Sequence, residues 1–181
     1  TAGRLILVEL DDDLAASLRD EFAGADHVTV VHADFMDVAL RDLVDDVGSL
    51  LVIGNIPYNI TTPIIFRLLE RGNRPRRIVL MIQKEVADRI LAPAGTGEYG
   101  ALSVGVRAVA TVERLFNVGR GAFRPVPRVD SSIIRIEPLV PPPLAATEED
   151  DLRSLTRVAF SWRRKQLQKI LRTAPDSALV A

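Results

Sequence analysis

The chain of 181 residues has no cysteine, which excludes both a disulfide framework and a thiolate metal site. Its two histidines, His27 and His32, have no further histidine or carboxylate pair at ligand spacing, so no metal centre is expected. No apolar run approaches the roughly 18 residues of a membrane span. No basic stretch followed by an apolar segment opens the chain, and a cytoplasmic location without a membrane partner is expected. Positive charge is scarce at one end: residues 1–50 hold three basic and twelve acidic side chains. Residues 114–172 reverse the balance, with twelve basic and six acidic. One end therefore repels phosphate and the other attracts it. The clusters Arg120, Arg124, Arg128 and Arg163-Arg164-Lys165 point to a polyanionic partner. At 48% hydrophobic residues, the chain can fill one core of ordinary size with a small appendage.

Apolar patterning sets the organisation. Arg4-Leu5-Ile6-Leu7-Val8-Glu9 is a near-continuous apolar run ending in a carboxylate, the pattern of a buried parallel strand. Asp11, Asp12 and Asp13 suit the first turn of a following helix, on whose apolar face Leu14, Leu18 and Phe22 recur up to a stop at Gly24. Val28 to Val31 reads as a second strand leading into His32-Ala33-Asp34-Phe35, and Leu50 to Ile53 as a third, after a short helix through Leu40 and Val44. A helix from Pro63 to Leu69, a strand from Arg77 to Gln83 and a helix from Lys84 to Leu91 follow. A further helix through Leu102, Val106 and Val109 precedes strands at Val112 to Val118 and Ser131 to Ile136. This alternation implies an α/β domain over residues 1–140 with a parallel sheet covered on both faces. The proline-rich stretch from Pro138 to Pro143 reads as a spacer. Beyond it, Thr147 opens a capping-box-like Thr-Glu-Glu-Asp, so residues 147–181 read as a separate helical piece.

In open α/β sheets, ligands bind outside the carboxyl ends of the strands. Three such ends carry polar groups: Glu9, Asp34 and Asn55, expected to line one crevice. A carboxylate at Glu9 can accept both hydroxyls of a ribose, while Asp34 can accept an amine proton from a base whose ring lies against Phe35. Gly54-Asn55-Ile56-Pro57-Tyr58-Asn59 is a proline-stiffened turn that presents an amide and an aromatic face, a receptor for a planar group bearing an amine. The exocyclic amine of adenine is a poor nucleophile because its lone pair is delocalised into the ring. Acceptors aimed at its hydrogens favour the localised, reactive form. The Asn55 side-chain oxygen and a backbone carbonyl in the Ile56-Pro57 stretch can supply them while Tyr58 stacks on the extruded base. Catalysis would then be positioning and electrostatics, with in-line displacement of a methyl group from a sulfonium.

These residues carry a family resemblance. Gly54 to Pro63, Gly-Asn-Ile-Pro-Tyr-Asn-Ile-Thr-Thr-Pro, resembles motif IV of the ribosomal RNA adenine dimethyltransferases. Val8-Glu9-Leu10-Asp11 resembles the family's ribose-binding motif and Ala33-Asp34-Phe35 its adenine-binding motif. Met81 to Arg89 and Tyr99 to Val104 are similar to its later signatures. Ala122-Phe123-Arg124-Pro125-Val126-Pro127-Arg128-Val129-Asp130-Ser131 resembles the segment whose phenylalanine flanks the target base, and Phe160 to Lys165 the start of its helical C-terminal domain. The wording of the Phe123 segment is nearest to the bacterial housekeeping members, which dimethylate two adjacent adenosines in small-subunit ribosomal RNA. The resemblance implies a Rossmann-like methyltransferase sheet and S-adenosylmethionine as cofactor, contacted by Glu9, Asp34, Phe35 and Asn55. It also implies a catalytic group of Asn55, Pro57, Tyr58 and Phe123, with Tyr58 and Phe123 sandwiching the adenine. Arg120, Arg124, Arg128, Arg163, Arg164 and Lys165 would meet RNA phosphates. The implied partner is small-subunit ribosomal RNA or an immature small subunit.

Family members open with a strand and a glycine-rich turn against the methionine part of the cofactor. That strand and turn are expected to be missing before Thr1, and the helical C-terminal domain to be partial. Loss of a central strand would expose apolar surface and favour marginal stability or self-association. Three readings stay open: an RNA adenine dimethyltransferase, a non-catalytic relative acting in ribosome assembly or transcription, and a DNA adenine methyltransferase.

Overall fold

A computed structural model of the chain describes residues 3–161. It divides into two compact units between Val47 and Gly48.

In the first unit, β1 (Leu5–Glu9) and β2 (Val28–His32) pair in parallel from Leu5 opposite Val28 to Glu9 opposite His32. Between them runs α1 (Asp12–Glu21), whose N-cap is Asp11: its carboxylate accepts from the Leu14 amide at 3.0 Å. Asp12 and Asp13 fall in the first turn, where negative charge complements the helix dipole. Leu14, expected on the apolar face, is 55% exposed, and Ala15 is the residue of α1 that is fully buried. A single turn, α2 (Leu40–Leu43), follows. Val44, expected within it, is extended and ends it.

The second unit holds a four-stranded sheet in the order β3-β4-β6-β5: β3 (Leu51–Asn55), β4 (Arg77–Gln83), β5 (Ala110–Val118) and β6 (Ser131–Pro138). The expectation of a parallel sheet holds for β3 with β4. It fails for β6, which is antiparallel to both β4 and β5. The physical reason is the connection: a parallel return needs a crossover, usually a helix, and residues 119–130 between β5 and β6 contain one short 3-10 turn at Arg120–Ala122. The sheet is therefore mixed.

Three helices flank these strands in sequence: α3 (Thr61–Leu69), α4 (Lys84–Leu91) and α5 (Ala101–Arg107). Val109 lies beyond α5, directly before β5, rather than on the helix. The core alternates as a sheet requires: Ile78, Leu80 and Ile82 of β4 are fully buried, as are Ile134 and Ile136 of β6. Ile64, Ile65, Leu68 and Leu69 supply the buried face of α3. Gly105 of α5 leaves room for Phe66, whose ring would sit 2.9 Å from an added Cβ. Leu51 and Ile53 of β3 are 61% and 83% exposed.

After the proline segment, α6 (Ala146–Ser161) packs its Phe160 edge-on to Tyr99, with ring centroids 6.2 Å apart. Its cap differs from expectation. The Glu148 carboxylate accepts from the Ala145 amide at 2.6 Å, so the cap forms at Ala145 rather than Thr147. The next carboxylate is used elsewhere: Glu149, only 4% exposed, receives Arg71 at 3.2 Å and Arg74 at 2.5 Å. That clamp binds α6 to the segment between α3 and β4. No helix among the described residues is long and apolar enough to cross a membrane.

Candidate active site

The first unit presents its polar groups at adjacent strand ends. Glu9 closes β1 opposite His32, and Ala33 donates its amide to the Glu9 carbonyl at 3.0 Å. Asp34 thus follows on the neighbouring strand. The Glu9 Oε1 accepts from the amides of Leu10 at 2.8 Å and Asp11 at 2.9 Å. This fixes the carboxylate by its own backbone and leaves Oε2 without a partner among the described residues. Asp34 repeats the device: its Oδ1 accepts from the Met36 amide at 2.8 Å in a turn closed by Asp37 and Val38 donating to the carbonyls of Asp34 and Phe35. Each carboxylate caps local backbone with one oxygen and keeps the other available. Glu9, Asp34 and Phe35 are all half-buried. His32 Nε2 lies 3.1 Å from Asp12 and from the Leu10 carbonyl, over the start of α1. No group of three metal-ligating side chains occurs among the described residues.

The second unit carries the amine-receptor turn. Asn55 is the last residue of β3, opposite Met81, and Ile56 donates its amide to the Met81 carbonyl at 3.2 Å, so the turn leaves the sheet from a fixed point. The Asn55 side chain is exposed and engaged by no other described residue. Pro57 is differently placed: its carbonyl accepts from the Ile60 amide and the Thr61 hydroxyl, both at 3.2 Å, and so starts α3. Of the two carbonyls in the Ile56-Pro57 stretch, Pro57 is thereby occupied and Ile56 is open among the described residues. The Tyr58 ring is half-buried, and its hydroxyl lies 3.0 Å from the Ser131 hydroxyl.

The loop between β5 and β6 folds on itself. Phe123 is half-buried and donates its amide to the Arg120 carbonyl at 3.3 Å. Arg124 reaches back to the carbonyls of Phe123 at 3.0 Å and Gly121 at 3.5 Å, which makes it a brace of the loop. Arg120 and Arg128 are exposed, and their guanidinium groups bond to no described residue. With Lys84, Glu85, Asp88, Val129 and Asp130 they line an open cleft of about 400 Å3. Within it Asp88 takes Lys84 at 2.8 Å and also Arg114. Burial pushes the Asp88 carboxyl up, but the hydrogen bonds and charges of Lys84 and Arg114 outweigh it and hold the group below its ordinary value. Arg163, Arg164, Lys165 and Trp162 lie outside the described residues.

Comparison with known proteins decides the lineage. A family model described as ribosomal RNA adenine dimethylase matches residues 2–179. The chain belongs to that family. It is similar to the ribosomal RNA small subunit methyltransferase A of Pseudomonas fluorescens, at 42% identity over 98% of this chain and 66% of the relative. The protein of the same name from Geobacter sulfurreducens is also 42% identical, over 94% of this chain and 63% of its own length. The chain thus spans about two thirds of the length of these relatives. Among solved structures it resembles a dimethyladenosine transferase from Plasmodium falciparum, with a TM-score of 0.79 at 29% identity over 94% of this chain and 60% of that one. It also resembles the 23S rRNA methyltransferase ErmE, with a TM-score of 0.71 at 29% identity over 97% and 69% of the two chains. The fold is the Rossmann-like one of these enzymes.

Set in the family fold, the residues singled out from the sequence occupy two places. Glu9, Asp34 and Phe35 stand together in the first unit, and Asn55, Pro57, Tyr58 and Phe123 belong to the second. Two groups escaped sequence reasoning. Ser131 offers no signal beyond being a small polar residue at a strand start. The joint use of Asp88 by Lys84 and Arg114 spans two elements, α4 and β5, so spacing on one helix shows only the Lys84 half.

Proposed function

We propose that this chain is the catalytic part of an S-adenosylmethionine-dependent enzyme that dimethylates the exocyclic amines of two adjacent adenosines in small-subunit ribosomal RNA. The observation that carries the reading is the turn after β3. It offers an exposed, unengaged Asn55 amide, an open Ile56 carbonyl and the Tyr58 ring within four residues.

Two acceptors at that spacing can take the two hydrogens of an adenine amine and favour the nitrogen's localised lone pair, while Tyr58 and Phe123 hold the ring. Pro57 serves indirectly, because its carbonyl starts α3 and fixes the turn. The donor set of the first unit suits a nucleoside-bearing cofactor: a free Glu9 oxygen for ribose hydroxyls, a free Asp34 oxygen for the base amine and the Phe35 ring beside it. Asn55 completes the cofactor assignment. When bound, S-adenosylmethionine supplies an electrophilic methyl group on sulfonium sulfur, and the chain's own residues orient the acceptor amine for in-line attack.

RNA rather than DNA is favoured because the similar proteins are named for ribosomal RNA. Arg120 and Arg128, together with Arg163, Arg164 and Lys165, are assigned to backbone phosphates, and Arg124 to shaping the loop. Residues 1–140 are assigned as the methyltransferase domain and residues 147–181 as the start of a helical RNA-binding domain.

Asn55→Ala tests the reading. Methyl transfer to small-subunit RNA should fall about 100- to 1,000-fold, the usual loss when one preorganised polar group at a reacting centre is removed. RNA affinity, measured by titration, should stay within a few-fold. Unchanged transfer would overturn the assignment.

A further inference from the structure

Resting on the reading of Tyr58 as the stacking face, we propose that Ser131 is a positioning residue: its hydroxyl pins the Tyr58 ring in the orientation that receives the base. The two hydroxyls are 3.0 Å apart across 73 residues of sequence. Ser131 is completely buried, whereas the Tyr58 ring is only half-buried. The bond thus joins a fixed post to a side chain that has space to move.

The post is held from several sides. Ser131 opens β6 and stands opposite Gln83 of β4 on one flank and Val118 of β5 on the other. Its neighbour Asp130 accepts the Lys84 amide on its backbone carbonyl at 2.9 Å and the Arg120 amide on its carboxylate at 2.9 Å. The start of α4, the turn at Arg120 and the sheet therefore converge on one dipeptide. Tyr58 is fixed at its other end by the Ile56 and Pro57 backbone bonds. With both ends of the side chain tied, the direction in which the ring projects is set before a base arrives, and that part of the rotamer entropy is lost on folding rather than on binding. A phenol that lacked this partner would also leave a half-buried hydroxyl seeking another.

Ser132 supplies an internal control. It is equally buried, but its hydroxyl donates to the Asn117 side chain at 2.7 Å. Loss of that bond perturbs the same strand without touching Tyr58.

The test is a double-mutant cycle in the full chain, read in two ways. One is single-turnover methyl transfer. The other is quenching of 2-aminopurine placed at the target adenosine of the RNA, which reports stacking whether or not transfer occurs. Ser131→Ala and Tyr58→Phe should each lower the transfer rate about five-fold, roughly what one neutral hydrogen bond contributes, with KM for RNA unchanged. The double variant should lose no more than either single. Quenching should weaken in step, and Ser132→Ala should leave both signals as in the parent. Multiplying losses in the double variant, or equal losses with Ser132→Ala, would reduce Ser131 to a structural role and overturn the proposal. Tyr58→Ala separates this from the underlying reading: if it leaves quenching and transfer intact, stacking by Tyr58 itself is wrong. If it abolishes them while Ser131→Ala does nothing, only the positioning role falls.

Discussion

The two units fix their functional side chains by different means. In the first, Glu9 and Asp34 are oriented by backbone amides one or two residues away. In the second, Tyr58 is held by Ser131, 73 residues distant, and Asp88 by Arg114, 26 residues distant. The packing differs in the same sense. Among the described residues, the first unit buries three apolar side chains, Ala15, Val38 and Leu40, whereas all the other buried apolar residues belong to the second. A two-stranded sheet is marginal alone, so a unit with little core gains by orienting its ligands locally. A unit with a four-stranded sheet can place ligands through tertiary contacts. Where binding groups are locally held, they can survive a loosely packed surround; where they are held at a distance, they depend on the core.

The sharpest break of that comparison is at the clamp on α6. Glu149 is almost fully buried, and Arg74 is 10% exposed. Removing one partner of such a pair strands the other charge, which typically costs about 3–5 kcal/mol. Urea unfolding of Glu149→Ala should show a loss of that size. A loss below about 1 kcal/mol would mean that α6 is not bound to its unit by this clamp.

Apolar truncation in both units comes next. Leu80→Ala, at a fully buried position of β4, should destabilise by about 2–5 kcal/mol and carry the Tyr58 site with it. Leu14→Ala, at a position 55% exposed in α1, should stay within about 0.5 kcal/mol. Comparable losses at the two positions would erase the contrast in packing.

Glu9 separates orientation from binding. Glu9→Gln retains an oxygen acceptor for the Leu10 and Asp11 amides, so its effect on stability should be small. Its cofactor affinity, by calorimetry, should fall about ten-fold as a charged acceptor for hydroxyls is lost, about 1.4 kcal/mol. Glu9→Ala should add a stability loss of about 0.5–2 kcal/mol, the scale of a removed cap. If Glu9→Gln destabilised as much as Glu9→Ala, local orientation would not be the role of the oxygen.

This division also explains what was legible in the sequence. The end of β1 at Glu9, the bounds of β4 and α4 and the turn from Asn55 to Tyr58 follow from apolar period, proline chemistry and adjacent residues, all of which a single window contains. The antiparallel placement of β6 did not, because it depends on the absence of a crossover helix between residues 119 and 130. The cap at Ala145 and the burial of Glu149 were hidden for a related reason: Thr147-Glu148-Glu149-Asp150 does not say which carboxylate meets a backbone amide and which meets Arg71 and Arg74 far upstream. Pro57 shows a third limit. The sequence marks both carbonyls of Ile56-Pro57 as possible acceptors, and only the hydrogen bonds of Ile60 and Thr61 tell which one is spent.

Asp88 gives the smallest effect and tests whether distant fixation in the second unit is electrostatic. Lys84 and Arg114 hold its folded-state carboxyl below the ordinary value, so the unfolded chain binds the proton more readily. A depressed carboxyl contributes stability that is fully present above its unfolded value, near 3.9, and that is lost as pH falls through the lower folded value. Because the Asp88 side chain is 36% exposed, solvent screens the pair, and each contact is worth no more than about 1 kcal/mol. Asp88→Asn should therefore lower stability slightly at neutral pH and flatten the decline below about pH 4, measured by thermal melts from pH 2 to 7. Raised salt should shrink the difference between the two proteins. An identical acid limb in Asp88→Asn would mean that Lys84 and Arg114 hold Asp88 in place without a net charge contribution, and that the cleft beside Arg120 and Arg128 owes its shape to packing alone.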